Sequence, residues 1–251
     1  MKFFKRSSTP REPKLTHSVR DYRKLVQHHL RENPDDRTFA LARSIGAESM
    51  EGFRRQGDGH VAVLKHHGLV DGMSVYDLGA GCGRTAQALQ RSGWKGSYIG
   101  ADVVPELLEE IERQCPGYAT VIELDQAIAA PSRSLDLVCA WSVFTHLTPP
   151  ETYLFIRDVF RTLKPGGKLL FTFLEMEEPE HNRVWEAVQR HVQAAVPPEQ
   201  LDTFLHRDWI RRYARDAGFE DPLFTDGMDR SNHPELWQAL AVLKKPERKD
   251  G

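Results

Sequence analysis

The chain has 251 residues, 40% of them hydrophobic, and a formal net charge of -2. A chain of this size can bury a core without disulfide bonds, and its balanced charge lacks the basic excess that marks nucleic-acid-binding proteins. The cysteines Cys82, Cys115 and Cys139 are widely spaced, which is typical of neither a disulfide framework nor a metal site. No apolar run reaches the roughly 20 residues that cross a bilayer, and no apolar segment follows the basic N-terminal residues. We therefore expect a cytoplasmic protein, a monomer or homodimer, without a nucleic-acid or membrane partner.

Residues 1–17 combine Lys, Arg, Pro and Ser with few apolar residues, which predicts a flexible tail. Residues 18–67 are predicted to form a helical cap, because Tyr22, Leu25, Val26 and Leu30 recur at helical spacing. After a break at residues 33–36, Asp35 or Asp36 can cap a second helix that runs through residue 45. We predict a third helix over residues 60–67, stopped by the glycine that follows.

From residue 68 onward, short apolar runs alternate with helical stretches. The predicted strands cover residues 73–78, 97–101, 119–124, 135–140, 168–174, 219–225 and 236–243. The predicted helices cover residues 85–92, 105–114, 150–163, 181–196 and 208–217, and residues 164–167 form a turn. This alternation favours an α/β fold with a mostly parallel sheet covered on both faces. We expect one domain over residues 68–245, in which residues 175–206 are an insertion that acts as a lid.

A glycine-rich turn follows the first predicted strand of this domain. Gly79, Gly81 and Gly83 allow a tight turn and close approach of a ligand to the backbone. Arg84 stands where a dinucleotide fingerprint would have its third glycine. Asp77, at the strand end, would repel a pyrophosphate and attract a ligand that carries a sulfonium and an ammonium. Asp102 ends the second strand, where a carboxylate can accept both ribose hydroxyls.

At this point the chain resembles the class I S-adenosylmethionine-dependent methyltransferases. The segments that carry the resemblance are VYDLGAGCGRTAQAL (75–89), SYIGADVVPEL (97–107), LDLVCAWSVFTHL (135–147) and LKPGGKLLFTF (163–173). The resemblance implies a Rossmann-like, seven-stranded sheet whose last strand is reversed, and S-adenosylmethionine as the cofactor.

The resemblance also implies which residues contact that cofactor. The loop Gly79–Gly83, including Ala80 and followed by Arg84, would hold the methionine part near Asp77. Asp102 would bind the ribose and Val103 would pack on the adenine. The remaining expected contacts are Asp125 or Gln126 at the adenine amino group, and Trp141 and Ser142 near the methyl group.

A base is needed only when the acceptor arrives protonated. His146, after the fourth strand, is the first candidate base, with a loop-orienting role as the alternative. Glu175, at the end of the fifth strand, is a second candidate base or acceptor ligand, with a solvated acid as the alternative. No metal is expected, because the pair His66 and His67 lacks a partner at metal-binding spacing.

The segment after the fourth strand lacks the Asn-Pro-Pro-aromatic motif of enzymes that methylate base or glutamine amines. We therefore expect a small organic acceptor, methylated on a hydroxyl or carboxyl oxygen, as in the natural-product and saccharide-modifying members that the chain resembles. The alternatives are an N-methyltransferase on a small amine, a cofactor-binding protein without catalysis and, disfavoured by Asp77 and Arg84, a nicotinamide-dependent reductase. Bulky residues that could line the acceptor pocket or join the lid to the sheet are Met50, Phe53, Trp185, Phe204, His206 and Trp209.

Overall fold

The computed structural model describes residues 17–196, 200–229 and 236–247, with side chains from residue 22 onward. The predicted tail lies outside the described residues except for its last position, because the first helix begins at His17. Among the described residues, no helix is both long enough and apolar enough to cross a membrane.

One seven-stranded sheet organises the chain. Its strands are β1 Ser74–Leu78, β2 Ser97–Asp102, β3 Ala119–Ile122, β4 Leu135–Ala140, β5 Leu163–Phe173, β6 Leu223–Thr225 and β7 Ala239–Lys244. The strand order is β3-β2-β1-β4-β5-β7-β6. Strands β1 to β5 pair in parallel, and β7 is antiparallel to both of its neighbours. The predicted fold class, with its reversed last strand, is confirmed.

Helices cover both faces of the sheet. They are α1 His17–Glu32, α2 Arg37–Ser44, α3 Met50–His66, α4 Arg84–Arg91, α5 Pro105–Gln114, α6 Pro149–Thr162, α7 Asn182–Gln193 and α8 Arg207–Ala217. Successive residues of β4 point to opposite faces: Val138 and Ala140 pack with α6 and α8, whereas Leu137 and Cys139 pack with α3, α4 and α5. Burial on both faces explains why the central strands have apolar runs without polar alternation.

Helix α3 begins ten residues before the predicted start. Ser49 caps it by accepting a hydrogen bond from the Gly52 amide at 3.0 Å. The glycines of this segment lower its intrinsic helix propensity, which is why the pattern predicts helix only from His60. Gly57 lies where α3 crosses α4, and an added Cβ there would come within 2.6 Å of the Arg84 carbonyl oxygen. The glycine that weakens the local signal therefore permits close helix packing, and α3 belongs to the layer that covers the sheet.

The predicted turn at residues 164–167 is wrong, because these residues belong to β5. The pairing of β5 with β4 shifts register between Leu135 and Leu137, and Gly166 has a φ of +77°. The strand bulges out and then resumes its pairing, so a turn-like sequence is contained within a continuous strand.

In the second half of the chain, the structure differs from the prediction mainly in where helices and strands begin and end. The predicted helix over residues 181–196 is a short 3-10 turn, Pro179–His181, followed by α7. Segment 200–206 then runs beside the carboxyl end of β5, where Leu205 N donates to the Leu174 carbonyl at 2.8 Å and Phe204 pairs with Leu174. The last two strands are shorter than predicted. Residues of 175–196 and 200–206 thus lie beside the carboxyl ends of the parallel strands.

Candidate active site

A cavity of about 680 Å³ opens at the carboxyl ends of the parallel strands. It lies where ligands bind in open parallel sheets, beside the point at which strand order reverses between β1 and β4. Predicted site residues on its wall are Asp77, Gly79, Ala80, Gly81, Arg84, Asp102, Val103, Trp141, Ser142 and His146. The fold brings these residues together from positions up to 69 apart in the chain.

The loop after β1 is shaped by its glycines. Gly79 has a φ of +69°, and a side chain there would collide with Val143 of the loop after β4. The glycine therefore lets the loop after β1 pack directly against the loop after β4. Gly83 lies off the wall: its amide donates to the Ala80 carbonyl at 3.1 Å, and it starts α4.

Asp102 ties this loop to the end of β2. One carboxylate oxygen accepts from the Gly81 amide at 2.9 Å and the other from the Val104 amide at 3.1 Å. The carboxylate is buried, and burial raises its pKa to about 6 despite these hydrogen bonds. The loop thus holds the Asp102 carboxyl group on the cavity wall in surroundings that disfavour its ionised form.

Asp77 is buried one strand away. Its oxygens accept from the Tyr98 hydroxyl at 2.7 Å and from the Cys139 thiol at 3.4 Å. Burial raises the pKa of Asp77 to about 6, against the lowering effect of Tyr98, Cys139 and Thr85. The cavity therefore carries two buried acids that a cationic ligand would stabilise in their ionised form.

The prediction for the segment after β3 needs correction. Asp125 and Gln126 do not line the cavity; Glu123 does. Glu123 accepts hydrogen bonds from the Tyr76 hydroxyl and from the Ala129 amide, and burial raises its pKa. Strand β3 ends two residues earlier than the predicted strand, so the acid at its end is Glu123 rather than Asp125.

Glu175 also lies off the cavity wall. Arg207 binds its carboxylate through two nitrogens, with contacts of 2.8 and 2.5 Å. The same arginine pairs with Asp226, and one carboxylate oxygen each of Glu175, Glu178 and Asp226 lies within 4.8 Å of the other two. This pairing supports a structural role for Glu175, in place of the predicted second base.

His146 lies in a 3-10 turn, Phe144–His146, on the cavity wall. Its Nδ1 is 2.7 Å from the Leu201 carbonyl oxygen. Burial lowers its pKa, while the Leu201 carbonyl and Asp202 act in the opposite direction. A neutral imidazole that donates from Nδ1 to a carbonyl carries its lone pair on Nε2. That tautomer is the one a proton acceptor needs.

The N-terminal helices supply wall residues that have no motif in the sequence. His60 stacks on Trp141 with ring centroids 4.4 Å apart, and its Nδ1 lies 3.0 Å from the Thr85 hydroxyl. Burial, and then the charge of Arg84, hold the pKa of His60 well below its usual value. Gln56 faces the same cavity, and its Oε1 is buried without a hydrogen-bond partner among the described residues.

Helix α1 closes the cavity above Val103. Arg23 donates two hydrogen bonds to the Val103 carbonyl, at 3.1 and 2.9 Å, and Tyr22 lies on the wall beside them. The Tyr22 ring is tilted against His146 with centroids 6.4 Å apart, and burial raises the Tyr22 pKa above its usual range. The first and third helices thus both contribute residues to the cavity wall.

Helix α7 and the residues just before β7 also contribute to the cavity wall. Arg183, Val184 and Ala187 of α7 line it with Trp237 and Gln238. Gln238 Nε2 donates to the Ser142 hydroxyl at 2.9 Å, which supports the left-handed conformation of that residue, with a φ of +60°.

The bulky residues predicted as pocket-lining candidates serve other purposes. Phe53 packs in the core between the N-terminal helices and the loops after β1 and β2, with Met50 against it. Trp185 meets Phe204 edge to face at 5.7 Å, His206 caps α8, and Trp209 is half exposed. None of the six lines the cavity.

Comparison with known proteins identifies a matching family and several relatives of this chain. Residues 75–167 match the family described as "Methyltransferase domain". The chain is 32% identical over 167 residues to the arsenite methyltransferase of Aquipseudomonas alcaligenes, an alignment of 61% of this chain and 46% of that protein. It is 26% identical to the ubiquinone/menaquinone biosynthesis C-methyltransferase UbiE of Pseudoalteromonas translucida, over 64% of this chain and 72% of the relative. The chain thus spans about half the length of the first of these relatives.

Solved structures share the fold. The phosphoethanolamine N-methyltransferase 2 of Haemonchus contortus, in complex with phosphomonomethylethanolamine and S-adenosylhomocysteine, matches with a TM-score of 0.62 at 17% identity, covering 90% of this chain and 61% of that one. The magnesium protoporphyrin IX methyltransferase of Synechocystis PCC 6803 with bound SAH matches with a TM-score of 0.58 at 16% identity, covering 87% and 99%.

Proposed function

Because the chain carries a class I S-adenosylmethionine-dependent methyltransferase domain, we propose that it transfers the methyl group of S-adenosylmethionine to a small organic acceptor, on a hydroxyl or carboxyl oxygen. The observation that carries the proposal is the single cavity that joins the glycine loop and Asp102 to His146. A cavity of about 680 Å³ is in the range of small-molecule sites and supports an acceptor of limited size.

The residues on the cavity wall fit the cofactor. Its positive charges match the buried acids Asp77 and Asp102, which are otherwise costly to ionise. The ribose hydroxyls are suited to Asp102, and Glu123 is suited to the adenine end. The unpartnered Gln56 Oε1 offers an acceptor for the methionine ammonium.

We further propose that residues 18–67 act as a cap and residues 175–206 as a lid on the domain of residues 68–245. The contacts of Arg23 with Val103 support the cap, since they fasten α1 over the end of β2. The wall residues Arg183, Val184 and Ala187 support the lid, since they come from α7 and face the cavity. Together these elements would exclude water from the reacting groups.

In this proposal the protein aligns the acceptor and removes its proton. S-adenosylmethionine supplies an electrophilic methyl group on a good leaving group. His146 Nε2 accepts the acceptor hydroxyl proton as the oxygen attacks, and the Leu201 carbonyl holds the imidazole by its Nδ1–H. The lowered pKa of His146 favours the neutral, proton-accepting form at neutral pH.

N-methylation of a small amine is the second candidate. Asp202 lines the cavity near His146, and its carboxylate could hold an ammonium beside the reacting centre. The likeness in fold to an N-methyltransferase is compatible with it. Acceptor panels that contain both alcohols and amines separate the two candidates.

Calorimetry with S-adenosylhomocysteine and NADH tests the cofactor part of the proposal. We expect binding of S-adenosylhomocysteine and no binding of NADH. Asp102→Asn should weaken the former by about 10-fold or more through loss of charge-assisted hydrogen bonds. Asp125→Asn is the matched control, because Asp125 is exposed and lies off the wall, so its affinity should equal the wild type. Absence of any heat with S-adenosylhomocysteine would refute the proposal.

A further inference from the structure

The cavity extends well beyond the cofactor residues. The wall residues assigned to the cofactor come from the ends of β1, β2 and β4, whereas Trp237 immediately precedes β7. Strand β7 is three strand spacings from β1, about 14 Å at the usual interstrand distance. Beside Trp237, Gln238 contacts Ser142, the residue expected near the methyl group, so this side adjoins the methyl-group end of the cofactor site. The β7 side of the cavity therefore lies toward the acceptor.

An unpaired arginine lies on that side. The guanidinium of Arg183 is 4.5 Å from the centroid of the Trp237 ring. No carboxylate of the described residues forms an ion pair with it, whereas Arg190 on the same helix pairs with Glu186 and Arg207 pairs with Glu175. Its position gives the helix no electrostatic benefit either: Arg183 stands in the first turn of α7, where the helix dipole disfavours a cation.

The surroundings of Arg183 restrict the kind of ligand. The cavity that Arg183 lines also has apolar wall residues, among them Leu147, Phe155, Leu174, Val184 and Leu236. Asp202, whose charge acts on His146, adds a negative group to the same wall. A planar guanidinium held on an aromatic ring is suited to a carboxylate or phosphate, which it binds through two parallel hydrogen bonds.

We propose, on the basis of the methyl-transfer function above, that the acceptor has an apolar body and one carboxylate or phosphate group, and that Arg183 on Trp237 binds this anionic group. Arg183 is then a specificity-determining residue: it orients the acceptor so that the nucleophile points away from α7, toward His146. An uncharged acceptor of the same shape would lack this anchor.

The test measures binding of matched probes to the protein saturated with S-adenosylhomocysteine. The pairs are para-hydroxybenzoate with para-hydroxybenzamide, omega-hydroxyhexanoate with its amide, and phenyl phosphate with phenol. The proteins are the wild type, Arg183→Gln, Arg183→Lys and the control Arg190→Gln, which removes the same charge from α7 outside the cavity. Ligand-observed NMR titration gives each dissociation constant, and calorimetry first establishes the binding of S-adenosylhomocysteine to each variant.

We expect the wild type to bind at least one anionic probe more tightly than its neutral partner, by about 10- to 100-fold. Arg183→Gln should abolish that preference, Arg183→Lys should retain part of it, and Arg190→Gln should leave it intact. The pair that shows the preference distinguishes carboxylate from phosphate. Equal binding within all pairs, or a preference that survives Arg183→Gln, would overturn the inference while leaving the methyl-transfer proposal intact. Failure of the wild type to bind S-adenosylhomocysteine would overturn both.

Discussion

Replacing Asp77 by asparagine should stabilise the protein while weakening its cofactor site. Asp77 is 1% exposed, and its oxygens contact a hydroxyl and a thiol. Both of these groups can rotate to suit an amide, so Asp77→Asn retains the shape of the site and removes a buried charge. Asparagine carries no charge and does not attract a cationic ligand, so the substitution should raise stability and lower cofactor affinity.

The magnitude follows from the pKa of Asp77, which rises from 3.8 to about 6 on folding. The folded state then binds more protons than the unfolded state between about pH 4 and pH 6, so this carboxyl lowers stability as pH rises through that window. At about 1.4 kcal/mol per pKa unit, the penalty reaches about 3 kcal/mol near pH 8 and falls below about 1 kcal/mol near pH 4.

Urea unfolding of the ligand-free protein at several pH values measures the effect. The free energy of unfolding of Asp77→Asn should exceed that of the wild type at pH 8, and the difference should shrink toward pH 4. Asp136→Asn is the control, and its free energy of unfolding should change in the opposite direction. Burial of Asp136 is outweighed by hydrogen bonds from Lys164 and Ser74, so its pKa is lowered and its stabilisation is lost only as pH falls. A loss of stability in Asp77→Asn at pH 8, or a gain independent of pH, would refute the reasoning.

Three further predictions concern the site. Replacing His146 by Gln should lower kcat with an alcohol acceptor by about 100-fold or more and remove a limb of the pH–rate profile that lies below pH 6.5; unchanged turnover would exclude the base role. Gly79→Ala should weaken S-adenosylhomocysteine binding in calorimetry, because its Cβ meets Val143 at a φ of +69°, and wild-type affinity would show that the loop can relax. Glu175→Gln should lower the melting temperature by weakening the pair with Arg207 and leave kcat at 20 °C within about 2-fold; a collapse of kcat in a folded protein would restore Glu175 as a base.

The sequence could predict the parts of the site that follow strands directly. A buried strand of the central sheet appears as an apolar run, and Asp77, the glycine loop and Asp102 immediately follow or end such runs. Because parallel strands end at one edge of the sheet, residues at those ends lie on the same cavity. Local sequence patterns therefore predict the sheet, its reversed last strand and most of the expected cofactor contacts that lie on the cavity wall.

The sequence pattern is weak at the end of β3 and at the start of α3, and both predicted boundaries were wrong there. Strand β3 is half exposed and lies at the sheet edge, so its apolar signal does not show where it stops. The two-residue difference placed the predicted contact at Asp125, whereas Glu123 is the acid that lines the cavity. At the start of α3, glycines that allow tight packing against α4 reduced the local helix signal.

What the sequence determined by itself is the fold and the part of the cavity wall that comes from strand ends and the glycine loop, because both depend on short contiguous segments. Tertiary structure alone decided which residues of the helices and of the segment before β7 join that wall. His60 meets Trp141 across 81 residues and Arg183 meets Trp237 across 54, and neither pair has any spacing rule in the chain. The pair between Glu175 and Arg207 likewise depends on the packing of α8. Contacts between elements distant in the chain depend on how the helices pack over the sheet, and no local pattern contains that information.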